Sequence, residues 1–155
     1  MDPIFGIQVL MSFIVYILLA RWYVAPRLAA LPLHAALMPL VFLHAFRHVG
    51  LVFLQPQVVG PDLQRAFAAP AAWGDLLAAL LALLALVALR NRWGGALGLV
   101  WLFNVVGTLD LIYAVFKGLT LGVVLHAAYY IPTFAVPALF VTHTMVFAML
   151  LRRRA

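Results

Sequence analysis

The chain has 155 residues, 68% of them hydrophobic and only 9% charged, with a formal net charge of +6. About a quarter of an ordinary soluble domain is charged, so this composition excludes a typical water-soluble fold and points to an integral membrane protein. The absence of cysteine excludes disulfides, thiolate metal sites, iron–sulfur clusters and covalently attached c-type haem.

Acid–base groups are few. There is one serine, Ser12, and no glutamate; the carboxylates are Asp2, Asp62, Asp75 and Asp110. Ser12 has no histidine or acidic neighbour in sequence, which argues against serine-nucleophile chemistry. Most of the arginines flank apolar runs, so the positive balance reads as a topology signal and no nucleic-acid partner is expected.

Five apolar runs are expected to cross the bilayer, at about residues 4–23, 31–54, 71–89, 96–116 and 127–151, in one domain covering residues 1–155. Met1-Asp2-Pro3 lacks the basic region of a signal peptide, so the first run is expected to be retained. On that run Gln8, Ser12 and Tyr16 recur at i, i+4 and i+8, a stripe expected to hydrogen-bond to a neighbouring helix. The second run has Pro39 as an expected kink. It also carries Val41-Phe42-Leu43-His44-Ala45-Phe46-Arg47-His48-Val49-Gly50, where α-helical spacing puts His44, Arg47 and His48 on one face.

Asp62 is expected to cap a short interfacial helix ahead of the third run. That third run holds Asp75 at the head of a stripe of Ala78, Ala79, Ala82 and Ala85, small residues that let another helix approach closely. The fourth run carries Asn104 and Thr108 on one side, and Asp110, Tyr113 and Lys117 on another. In the fifth, Pro132 and Pro137 predict a kink, and Thr142-His143-Thr144 lies in the half opposite Tyr129 and Tyr130.

Charges set the expected orientation. One side collects Arg21, Arg27, Arg90, Arg92, Arg152, Arg153 and Arg154, the other only Arg65 and Lys117. The positive-inside rule then places the N-terminus outside and the C-terminus in the cytoplasm. Abundant Arg, Ala and Leu suggest a GC-rich bacterium, hence its inner membrane.

Counting 1.5 Å per residue from each midpoint puts Arg47, His48, Asp75 and Asp110 roughly 6–8 Å outward of the membrane centre. Ionisable groups are expensive in hydrocarbon and are paired or functional there. Arg47 with Asp75 and Asp110 leaves one excess negative charge, to be balanced by a proton or a bound cation.

The expected site is Arg47 as anchor, Asp75 and Asp110 as counter-charges, His48 and His44 as proton or hydrogen-bond partners, and Tyr113 and Tyr130 at the mouth. A metal on His44 and His48 is disfavoured, because Arg47 shares their face. No cofactor is expected. The alternative is a b-haem between His44 and His143, which would make the chain an electron-transfer or structural subunit.

The reading favoured by the sequence is a multi-pass membrane protein that binds or transports a small molecule or ion, with proton coupling as one route. A second reading is an intramembrane acid–base enzyme acting on a lipid-like substrate. The lipid bilayer is the expected partner, with self-association or membership of a larger complex left open.

Overall fold

The computed structural model describes residues 3–152; Asp2, Arg153 and Arg154 lie outside the described residues. Within them the chain is helical and has no strand. Five helices are long and apolar enough to cross a membrane: α1 (Pro3–Ala29), α2 (Leu33–Leu54), α3 (Arg65–Arg90), α4 (Ala96–Thr120) and α5 (His126–Arg152). A single helical turn, Pro56–Val59, lies between α2 and α3.

Prolines accompany a change of winding in two of the five, α1 and α5. Pro26 cannot donate a backbone hydrogen bond, and just before it α1 widens into a π turn, Ala20–Val24, closed by the N–H of Ala25 reaching Ala20 O. In α5 the same device appears at Ile131–Ala135, ahead of Pro137. There the Thr133 hydroxyl donates to Tyr129 O at 2.9 Å. In α3, Pro70 does not interrupt the helix. The expected break between an interfacial helix capped by Asp62 and a span starting near residue 71 is therefore absent. The first turns are held because Phe67 and Ala68 are buried against Phe53 and Val59; the helix begins after Gln64, whose side chain makes no cap.

α2 changes winding partway. It is α-helical over Leu33–Ala45 with Pro39 inside, then a 3₁₀ helix over Phe46–Leu54. Such helices have three residues per turn and rarely exceed three or four residues. The buried residues of this stretch are Arg47, Gly50 and Phe53, a strict period of three.

The packed interior is divided in two. At the end of the bundle holding the α3–α4 turn, Leu37, Leu40, Val41, Ala82, Ala85, Leu89, Val100, Phe103 and Val146 form the larger apolar cluster. At the other end Phe53, Val59, Phe67, Ala71, Ala72 and Ala128 form a smaller one. Ala78, Ala79, Ala82 and Ala85, the small-residue stripe of α3, are all buried, and α3 lies in contact with both α2 and α4.

α1 is peripheral: its Pro3–Leu19 part buries no residue, and only Leu28 near its end is buried, in the larger apolar cluster. It meets α5 through rings: Phe5 on Tyr129, Phe13 on Phe140 and Tyr16 on Phe134 at centroid distances of 5.8, 6.3 and 5.6 Å. Among the described residues, the stripe of Gln8, Ser12 and Tyr16 expected to hydrogen-bond to a neighbouring helix makes no side-chain hydrogen bond. Gln8 is exposed, and Tyr16 contributes its ring instead.

Candidate functional site

Between the two apolar clusters lies a layer of polar side chains from α2, α3, α4 and α5. The Arg47 guanidinium is at its centre. Its Nε donates to Asp75 Oδ1 at 2.8 Å, Nη1 donates to the Gly107 carbonyl at 2.9 Å, and Nη2 donates to Asp110 Oδ2. The planar fork of arginine suits this convergent, charge-assisted geometry. The Arg47 side chain is 1% exposed and each carboxylate 14%. Asp75 Oδ2 and Asp110 Oδ1 accept no hydrogen bond from the described residues.

Glycines make room for each charge. A Cβ on Gly50 of α2 would lie 2.6 Å from Asp75 Cγ, and one on Gly74 of α3 would lie 2.6 Å from Asp110 Cγ. A Cβ on Gly107 of α4 would lie 2.9 Å from Arg47 Nη1. The pattern is cyclic: α2 offers a glycine to the charge of α3, α3 to that of α4, and α4 to that of α2. These glycines escaped the sequence reading. The available signal was glycine inside helical runs, which costs about 1 kcal/mol against alanine and so asks for a packing reason.

Beneath Arg47, on the side of the larger apolar cluster, lies a second polar group. His44 and His143 are 0% and 1% exposed, with ring centroids 3.9 Å apart and planes inclined at 39°. Phe103 packs on both, at 5.0 and 5.4 Å. Asn104 Nδ2 donates to His143 O at 3.2 Å, and its Oδ1 is 2.7 Å from His143 Nδ1. Thr142 Oγ1 is 3.0 Å from His44 Nε2. The other ring nitrogens, His44 Nδ1 and His143 Nε2, are buried without a partner among the described residues. Asn104 and Thr142 were visible as polar residues in apolar helices; that they pair with the two histidines was not.

Four of the seven residues expected in the site are thus in one layer: Arg47, Asp75, Asp110 and His44. The other three lie elsewhere. His48 is exposed, and its Nδ1 is engaged with Ala45 O at 2.9 Å. The expected shared face assumed α-helical winding; at about 120° per residue, 3₁₀ winding turns His48 away from Arg47. Tyr113 is 43% exposed, with Lys117 Nζ 5.9 Å from its ring centroid. It lies about 120° around α4 from buried Gly107. Tyr130 is 72% exposed and packs edge-on to Tyr129.

The loops at the end of the bundle away from the α3–α4 turn form a cleft of about 330 Å³ lined by Asp62, Leu63, Gln64, residues 121–124 and His126. None of the charged-layer residues lines it. The described residues contain no group of three or more His, Asp or Glu placed to hold a metal ion. The two histidine rings touch one another, which leaves no slot for a porphyrin between them in this arrangement.

The fold and site define a class: an all-helical chain with five helices long and apolar enough to cross a membrane, carrying a buried arginine–dicarboxylate layer. Residues 4–151 match the family described as Domain of unknown function (DUF8737), and the chain belongs to that family. No curated protein and no solved structure matches it.

Proposed function

We propose that this is a multi-pass protein of a bacterial inner membrane that binds, and passes between compartments, a small cationic ion or molecule at the Arg47–Asp75–Asp110 layer. The observation that carries this reading is charge balance. Three helices converge on one positive and two negative groups, leaving a formal charge of −1 where hydrocarbon would surround the helices. A cation, a proton included, neutralises it. The Asp75 and Asp110 side chains are each 14% exposed and Arg47 only 1%, so the negative groups are the more accessible to a cation.

The orientation proposed with this reading has the N-terminus outside. Arg21, Arg27, Arg90, Arg92 and Arg152 then lie at the cytoplasmic end, and Arg65 and Lys117 at the outer end. The layer faces the outer half of the membrane, and the larger apolar cluster closes it on the cytoplasmic side.

The test is charge displacement in proteoliposomes adsorbed to a solid-supported membrane, after jumps in H⁺, Na⁺, K⁺ or NH₄⁺ concentration. At least one cation is expected to move charge in the native protein and not in Asp110→Asn. Responses equal to those of protein-free liposomes for every cation would overturn the reading and leave the layer as a static device that fixes helix registry.

A further inference from the structure

Hydrogen-bond donors fix the tautomer of both buried imidazoles. Only the Asn104 amide NH₂ can pair with the His143 carbonyl, so Asn104 Oδ1 faces His143 Nδ1 as an acceptor, and Nδ1 carries the proton. His143 Nε2 is then a bare lone pair. Thr142 has a single hydroxyl proton, which is directed at the carbonyls of Ala138 and Leu139 at 2.9 and 3.1 Å. Thr142 Oγ1 therefore accepts from His44 Nε2–H, and His44 Nδ1 is the second bare lone pair. Both nitrogens are fully buried and unpartnered.

We propose that the His44–His143 pair is a binding site for an ammonium-type cation, ammonium itself or a small primary ammonium. This proposal rests on the cation-site reading above and names the chemical class of its ligand. One feature favours an N–H cation over an alkali ion, and two more favour a +1 ligand of either kind. The two imidazoles offer directed acceptors that need donors, which Na⁺ and K⁺ lack, and hard cations prefer oxygen ligands. Phe103, in contact with both rings, supplies an aromatic face that attracts ammonium groups. The neighbouring layer carries −1 in all, its Arg47 guanidinium, the member next to His143, being offset by Asp75 and Asp110, so a +1 ligand brings the whole group to neutrality. Buried Val41, Val100 and Val146 belong to the larger apolar cluster on the far side of Arg47.

Ammonium and potassium ions share charge and are close in size, so they isolate the role of the N–H donors. The protein, labelled with ¹⁵N-histidine and reconstituted in nanodiscs, would be titrated with NH₄Cl or KCl at fixed pH and ionic strength. The expected result is a saturable upfield movement of the two bare-nitrogen resonances with NH₄Cl and none with KCl. Phe103→Leu keeps both nitrogens and is expected to retain that movement at weaker affinity. His143→Gln is expected to weaken binding about tenfold, the loss of one hydrogen bond.

Equal movement with both salts, or none with NH₄Cl in the native protein, would overturn the proposal whatever the variants do. A response that follows free ammonia rather than ammonium when the pH is changed would overturn its charged ligand. If the Asp110 carboxyl ¹³C resonance responds to cations while the imidazoles stay silent, the cation site stands and the ammonium assignment fails. If neither responds to any cation, both readings fail.

Discussion

Each charged side chain of the layer rests on a glycine of a neighbouring helix, and this makes the site sensitive to a single methyl group. Gly74→Ala would drive a Cβ into the Asp110 carboxylate, and the resulting strain is expected to cost about 1–3 kcal/mol. Gly98, on the same α4 that holds Asp110, has open space where a Cβ would go. Gly98→Ala is expected to leave thermal unfolding unchanged or raised, because alanine is the better helix former. Equal melting temperatures for the two variants in one detergent would refute the glycine-seat account. The histidine pair has its own spectroscopic consequence. Rings in mutual contact do not clasp a porphyrin, so purified protein is expected to show no Soret absorption; a Soret band lost in His143→Gln would contradict that. The level of Arg47, Asp75 and Asp110 could be read from sequence because depth follows from counting residues in apolar runs. Which carboxylate oxygen each donor meets, and which glycine admits it, depends on helix rotation, which hydropathy does not encode.

At the scale of the element, the 3₁₀ segment of α2 decides who belongs to the site. Its tighter winding places Arg47, Gly50 and Phe53 in one inward row and turns His48 outward. The native chain has no cysteine, so single cysteines can be introduced at positions 48–54 without first removing others. Spin labels there are expected to be least mobile at positions 50 and 53 and more mobile at 48, 49 and 54. Minima spaced at 3.6 residues would mean that α2 continues as an α-helix and that His48 faces Arg47. Consistent with the 3₁₀ register, His48→Ala is expected to change stability by less than about 0.5 kcal/mol, as surface substitutions do. The prolines of this chain were legible as perturbations, but their outcomes differ. Pro26 and Pro137 follow π turns that re-pair the backbone, whereas Pro70 sits inside an unbroken helix. Tertiary contact at Phe67 and Ala68 makes that difference, and local sequence does not contain it.

For the whole molecule, two apolar clusters bracket one polar layer, and arginines crowd one end of the bundle. Reporter fusions are expected to show the C-terminus on the cytoplasmic side; a reporter active outside would refute the proposed orientation. The five helices were legible because the hydrocarbon thickness of a membrane sets a length that composition alone can match. The central claim is that Arg47, Asp75 and Asp110 form one site holding a net charge of −1. The most direct measurement is a thermodynamic cycle on detergent-solubilised protein. Arg47→Met leaves two part-buried carboxylates without their partner, and losing one side of a buried pair typically costs about 3–5 kcal/mol. Adding Asp75→Asn or Asp110→Asn removes a stranded charge and is expected to restore part of that loss, and adding both to restore more. Additive losses, with every double variant less stable than Arg47→Met by the full cost of its second substitution, would show that the three residues do not act together.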